Sequence, residues 1–367
     1  MSPVLRPLSR LLALTALFTA LPAAAGKIQL GEDTVLNINV LLQPQMQLVK
    51  DGAPTGGVGT DFFLRRVRLL VFGSITKKLS FFIDTDQPNF GKNGDWSPTF
   101  YVQDATLAYE FADKTWVEAG FILAPLSHHS LQGAIALNTV DYHADLIRYP
   151  LGVGKVWRDA GLQVRGFAGP WTYRAAILNG VEGAKLENGQ VVNADDLPRF
   201  VGHARYNVWG HESDQFLRGI YFTDQPMLSF GVGGDYQYGA IATASGVHDA
   251  VALSADVFLD MPMGDDQELV FQGNVFSWQQ GFDNARSGTG FFVELGYRVG
   301  IVEPVFTTEY FNGRVAATDL LAFRPGLNLW FQKHTFNLKT ELAVSRAGDI
   351  AHATTGITGT AQLQLFY

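Results

Sequence analysis

The final seven residues, Ala361-Gln362-Leu363-Gln364-Leu365-Phe366-Tyr367, carry an apolar or aromatic side chain at every second position and end on a tyrosine. Successive side chains of a strand point to opposite faces, so Ala361, Leu363, Leu365 and Tyr367 share one face while Gln362 and Gln364 share the other. An apolar face toward acyl chains and a polar face toward a wet interior is the pattern of a transmembrane β-barrel strand. The expected fold is therefore all-β, an antiparallel barrel in the bacterial cell outer membrane.

The start of the chain agrees. Met1 to Ala25 has Arg6 and Arg10, an uncharged run from Leu11 to Leu21, and then Ala23-Ala24-Ala25, which reads as a cleaved signal peptide. The apolar run is too short to cross a bilayer as a helix, and no later segment supplies about 20 apolar residues in succession. Residues 26–367 are expected to form a single barrel domain. There is no cysteine, so a disulfide framework and a zinc-thiolate site are both excluded. The mean hydropathy of +0.06 is too polar for a helical membrane protein but suits a barrel, whose two faces average out. Removing Arg6 and Arg10 takes the formal charge from −8 to −10, which argues against nucleic acid as a partner.

Alternation is cleanest over 35–49, with Leu36, Ile38, Val40, Leu42, Met46 and Leu48 on one parity and asparagines and glutamines on the other. Pro44 cannot donate to a ladder, so a bulge or an unpaired position is expected there. Similar segments recur to the end of the chain, separated by turn signals such as Asn93-Gly94 and Asn312-Gly313. The segments number seventeen, about one more than an even-stranded barrel of 16 admits, and the short 216–222 is the weakest of them. One stretch, 124–158, has Pro125, Pro150 and no sustained alternation. It is the expected constriction loop, folded into the lumen, with an extracellular loop outside the pore as the alternative.

The second strand reads Phe62-Phe63-Leu64-Arg65-Arg66-Val67-Arg68-Leu69, and a glycine turn leads to Leu79-Ser80-Phe81-Phe82-Ile83-Asp84. With Ala119 to Ser127 and Trp157 to Val164, this resembles the phosphate-selective porin O and P family of outer-membrane porins. The resemblance covers about Phe62 to Gly180. It implies a sixteen-stranded homotrimer, one pore per subunit, an inward loop after the fifth strand, and basic residues lining a path for phosphate or other small anions. The family's lysines at the narrowest point have no clear counterpart, since this loop offers only Lys155 beside Arg148, Arg158 and three histidines.

Parity assigns the inward positions. Nine are basic (Arg66, Arg68, Arg165, Arg174, Arg199, Arg205, Arg298, Arg324 and Lys339) and fourteen are acidic, so selectivity must come from placement where the pore is narrow. Arg66, Arg68, Arg165 and Arg174 flank the loop in sequence and form the expected anion track, joined by Arg148, Lys155 and Arg158. The alternative is that these arginines pair with Asp84, Asp104 or Glu118 and solvate the wall. Arg65, on the other parity, is expected to reach the headgroups. His128 and His129 read as solvated loop residues. Asp141, His143 and Asp145 alternate but make a weak metal signal, and neither a metal nor another cofactor is expected. Trp96, Trp116, Trp157, Trp171, Trp209 and Trp330 are expected at the membrane interfaces. Passive diffusion of small anions is the leading expectation, with a general or cation-preferring pore as the alternative that the acidic excess favours. An enzyme is not expected, because Ser127 with His128 or His129 lacks an orienting acid. A structural barrel is the remaining reading. The expected partners are outer-membrane lipids, small anions, further copies of the chain, and the barrel-assembly machinery through the aromatic C-terminal strand.

Overall fold

The computed structural model describes residues 26–150 and 157–367. The expected signal peptide, 1–25, and Lys155 lie outside the described residues.

Period-two alternation over most of the chain yields sixteen antiparallel strands: β1 Val35–Val49, β2 Gly59–Ser74, β3 Leu79–Asp86, β4 Tyr101–Ala112, β5 Thr115–Leu123, β6 Arg158–Ala168, β7 Trp171–Leu178 and β8 Arg199–Trp209, then β9 Met227–Thr243, β10 Gly246–Gly264, β11 Gln267–Gln279, β12 Gly288–Val299, β13 Val302–Gly313, β14 Leu320–Gln332, β15 Phe336–Ala347 and β16 Gly356–Phe366. Each pairs with its sequence neighbours, and β16 pairs with β1, which closes the barrel. Closure leaves no edge strand exposed to lipid, where an unpaired backbone group costs several kcal/mol. At the seam Tyr367 exchanges two hydrogen bonds with Val40, at 2.7 and 3.0 Å. A short strand, Gly26–Gln29, takes the rest of the β1 edge from Val35 to Ile38, so the described ends of the chain meet on one strand.

Side-chain exposure follows parity. Leu253, Phe230, Val232, Leu162 and Ile177 point outward and are exposed, forming the lipid-facing band, while most of the charged positions assigned inward by parity are buried. Pro44 sits at a bulge, where Gln43 pairs with Arg66 and Pro44 with Leu64. Arg65 is the extra residue, so it does not continue the outward parity. It turns inward with Arg66, and the expected reach to the headgroups is corrected for that reason.

The 216–222 segment is not a strand. It belongs to the 210–226 connection between β8 and β9. Most connections at the end of the barrel that carries the chain termini are short, such as 113–114, 169–170, 265–266 and 300–301, and the longer ones, including 87–100, 124–157 and 179–198, lie at the other end. Short turns mark the periplasmic side. Connection 210–226 is thus a long periplasmic turn.

The outward face fixes one expected outcome. Leu253→Arg, near the middle of β10, should cost about 2–4 kcal/mol in equilibrium unfolding from lipid vesicles. The lumen-facing neighbour Ser254→Arg should cost clearly less. Equal losses would show that outward position near mid-strand does not set the cost.

Candidate pore constriction

Beyond Leu123 the chain leaves the wall at Pro125, and Ala124 N–H donates to Trp157 C=O at 3.0 Å, closing the base of the inward loop. The loop contains two short 3-10 turns, His129–Leu131 and Ala144–Leu146. Most of its described residues are buried inside the barrel. A buried loop has no ladder to satisfy its carbonyls, so other groups must donate to them.

The wall supplies those donors as side chains. Gln364 Nε2 donates to Ile135 C=O at 2.9 Å, Asn328 Nδ2 to Asn138 C=O at 2.7 Å, and Lys339 Nζ to the carbonyls of Leu137 and Thr139. Gln362 Nε2 reaches Val140 C=O at 3.1 Å, and Trp278 Nε1 reaches Leu146 C=O at 2.9 Å. The polar face of β14 to β16 that parity assigned to water is largely occupied by this backbone.

A second segment enters from the periplasmic end. Turn 210–226 meets the loop through backbone bonds: Leu217 N–H to Leu131 C=O at 2.9 Å, Gly133 N–H to Leu217 C=O at 3.0 Å and Gly219 N–H to Ala136 C=O at 2.8 Å. Wall groups again hold its backbone. Arg174 donates to Gln215 C=O at 2.7 Å, Asp260 accepts from Tyr221 N–H at 2.7 Å, and His334 Nε2 donates to Ile220 C=O at 2.9 Å. Two glycines permit the close approaches. A Cβ on Gly233 of β9 would stand 1.8 Å from Leu126 C=O, and one on Gly219 would stand 2.5 Å from Asn138 N.

Most of the predicted site residues are ion-paired. Arg66 binds Asp141 of the loop at 2.6 Å and Gln43 at 2.9 Å, and Arg65 binds the other oxygen of Asp141 at 2.5 Å. Arg68 lies 2.9 Å from both Asp84 and Asp86, Arg158 binds Asp104 at 3.1 Å, and Arg165 binds Glu118 at 2.6 Å. Arg174 and Arg148 differ from these. Arg174 donates to backbone carbonyls of the periplasmic turn, while Arg148 donates to Asp145 C=O at 2.6 Å and lies 4.2 Å over the Phe311 ring. The structure thus joins Arg65 and Arg66 through Asp141 and divides the other arginines among separate acidic or backbone partners.

The histidines are buried, not solvated. His128 Nε2 lies 2.8 Å from Glu212 of the periplasmic turn, and its ring stacks 4.5 Å from Phe258. Burial holds its pKa below the ordinary value despite Glu212, so at neutral pH the contact is a hydrogen bond between a neutral ring and the carboxylate. His129 bonds Gln132 at 3.0 Å, and Ser127 bonds Ser130, so neither histidine activates Ser127. His143 is the charged one. Burial opposes its protonation, but hydrogen bonds to Glu294 and Glu309 raise its pKa to about 9. Burial also opposes ionisation of Asp141, yet Arg65 and Arg66 hold its carboxyl well below the usual range.

Two tryptophans depart from the interfacial expectation. Trp330 is buried in the lumen and donates to Glu303 at 2.6 Å, and Trp157 packs inward 4.9 Å from the Tyr142 ring. Trp96, Trp171 and Trp209 are exposed, and Trp116 lies under the Arg165 guanidinium at 4.6 Å. The periplasmic turn is the main element that sequence reasoning missed. Its alternation is too weak for a strand, and that weakness was the one available signal.

No protein-family model and no curated protein matches the sequence. Solved structures do match in three dimensions. The fold is that of bacterial outer-membrane barrels. The outer membrane channel DcaP of Acinetobacter baumannii superposes with TM-score 0.61 at 11% identity, covering 94% of this chain and 100% of that one. The anion-selective porin from Comamonas acidovorans gives 0.56 at 11%, covering 91% and 100%, and the trimer form of OmpT from Vibrio cholerae gives 0.58 at 10%, covering 92% and 100%. With its lipid-facing band, the chain spans the outer membrane.

Two outcomes follow from the loop's seating. Gly233→Val should destabilise the barrel by about 1–3 kcal/mol through overpacking and raise single-channel conductance by lifting the loop off β9. Because the His143 pKa is raised on folding, its stabilising contribution is complete below its unfolded value near 6.5 and is lost as pH rises through about 9. Conductance recorded from pH 7 to pH 10 should therefore change with a midpoint near 9 in the parent and lose that step in His143→Phe.

Proposed function

We propose that this protein is a passive outer-membrane diffusion channel for small solutes, organised to favour anions at its constriction. The observation that carries this reading is the placement of four arginines against the two inward segments. Arg65 and Arg66 share the single carboxylate of Asp141, while Arg174 and Arg148 hold backbone carbonyls. Selectivity is set where field lines concentrate, so the placement of these cations counts for more than the total charge of the wall. The fold likeness to a porin described as anion-selective is consistent with it.

Phosphate is proposed as one of several permeant anions, without tight capture. Arg68 is held by two aspartates and Arg165 by a glutamate, which leaves few guanidinium faces for bidentate phosphate contacts. Weak binding suits conduction, which requires release as well as entry. A general or cation-preferring pore is the second reading, favoured by the carboxylates of Asp260, Glu268 and Glu303 that stand buried on the wall. We also read the functional unit as a homotrimer, the form in which OmpT of Vibrio cholerae is described, and Tyr367 as the residue that the assembly machinery engages.

Recording in a planar bilayer under a potassium chloride gradient tests the main reading. An anion-selective reversal potential is expected, and Asp141→Asn should shift it further toward chloride. A cation-selective reversal potential in the parent would replace the first reading with the second.

A further inference from the structure

The inward loop and the periplasmic turn fill the lumen unevenly. On the side of β14 to β16 the polar groups of the wall are taken up by loop carbonyls. The cavities beside Arg199 and beside Glu118 are about 10 Å³ each, room for one water at most. On the side of β2 and β3, however, a cavity of about 510 Å³ remains between the wall and both segments, with the 333–335 turn at its periplasmic rim. Pockets of roughly 300–1,000 Å³ accommodate small molecules.

Inward positions of a water-filled barrel are ordinarily polar, yet this cavity is walled by Leu70 and Phe72 of β2, Phe82 of β3, Ile135 of the loop, and Phe216 and Leu217 of the turn. Three of the rings form a bent wall. Phe82 stands 6.0 Å from Phe72 at an interplanar angle of 36°, and 5.0 Å from Phe216 at 54°. All three are only half-buried, so ring surface stays open to the cavity. The charged groups around them are paired off. Arg68 is held by Asp84 and Asp86, Arg158 by Asp104 and Arg218 by Asp214. Lys333 is exposed at the rim, and its charge offsets the second carboxylate on Arg68. The cavity therefore has apolar, largely aromatic walls and no net charge.

We propose that this cavity binds small uncharged aromatic compounds, and that they cross the barrel along this side of the lumen. A ring of that kind displaces water from the faces of Phe72 and Phe82 and keeps favourable edge or face contacts with them. An anion or a cation entering the same space gives up its hydration and meets only charges that already have partners. A saturated ring fills the volume without the aromatic contacts. The role in transport rests on the channel reading, whereas binding is measurable apart from conduction.

The test titrates benzyl alcohol, cyclohexylmethanol, benzoate and benzylamine onto the barrel in lipid nanodiscs, with binding read by saturation-transfer NMR against empty nanodiscs and conductance recorded in a planar bilayer. Saturable millimolar binding of benzyl alcohol is expected, with cyclohexylmethanol weaker by about threefold, benzoate and benzylamine each weaker by about tenfold or more, and partial block of the current at the same benzyl alcohol concentrations. Phe72→Leu and Phe82→Leu, which keep an apolar side chain and remove a ring, should each weaken benzyl alcohol by about threefold. If one of these barrels fails to fold, the other decides. The chain has no cysteine, so Phe82→Cys carries a single thiol, and a charged methanethiosulfonate attached there should abolish binding and lower conductance. No saturable binding above empty nanodiscs, benzoate or benzylamine bound as tightly as benzyl alcohol, or an affinity unchanged by loss of a ring would overturn the site. Conductance unaffected by the modified thiol would overturn the path. Conduction without binding loses the site and keeps the channel reading, whereas binding without conduction loses the channel reading and keeps the site.

Discussion

The arrangement of the lumen depends on satisfying the backbone of two segments that have left the sheet. A strand in the wall pairs its amides and carbonyls with its neighbours, but a loop drawn into the barrel carries those groups away from both ladder and bulk water. Here the wall answers with amide and cationic side chains, from Gln364, Gln362, Asn328 and Lys339, each aimed at a carbonyl of the inward loop. The loop and the periplasmic turn then complete each other through bonds between Leu131, Gly133, Ala136, Leu217 and Gly219. Removing one donor would leave a buried carbonyl unmatched, at about 1–3 kcal/mol, so the side chains of the wall and the path of the loop specify one another.

The same logic governs charge. An arginine enclosed beside a loop needs a counter-charge or a set of acceptors, because an isolated buried ion is far more costly than a paired one. Arg68 and Arg165 take carboxylates from adjacent strands, which the strand pairing brings together, and Arg158 of β6 reaches across β5 to Asp104 of β4. Arg66 and Arg174 reach across to the inward segments instead. Charge in this lumen therefore does two jobs, neutralising the wall and seating the segments that narrow the passage.

Much of this was legible from the chain. Alternation marked the strands from Leu36 to Leu48 onward, Pro44 marked a bulge, and the loss of alternation after Ala124 marked the inward loop. Arg68 with Asp84 and Arg165 with Glu118 were foreseeable as cross-strand pairs once parity was assigned. Other features were not. The bulge at Pro44 shifts Arg65 by one residue and so reverses its face, and no local pattern announces which of two neighbouring residues is the extra one. Trp330 reads as interfacial by its position near a strand end, but its parity and the adjacent Glu303 take it inside. His128 and His143 look like loop residues until Glu212, Glu294 and Glu309 arrive from distant strands and turns.

The sequence by itself determined the barrel, because the medium on each side of a strand dictates alternate residues and that dictation is written locally, two residues at a time. It also determined that one long segment would leave the wall, since proline and the loss of alternation remove any way to stay in it. Tertiary structure alone decided what fills the lumen: that a periplasmic turn rises to meet the loop, that most arginines take carboxylate partners while a few hold the inward segments, and that Phe72 and Phe82 line a cavity inside the barrel. These are relations between groups far apart in the chain. Their energies depend on distance and burial after closure, which a pattern of neighbouring residues does not encode.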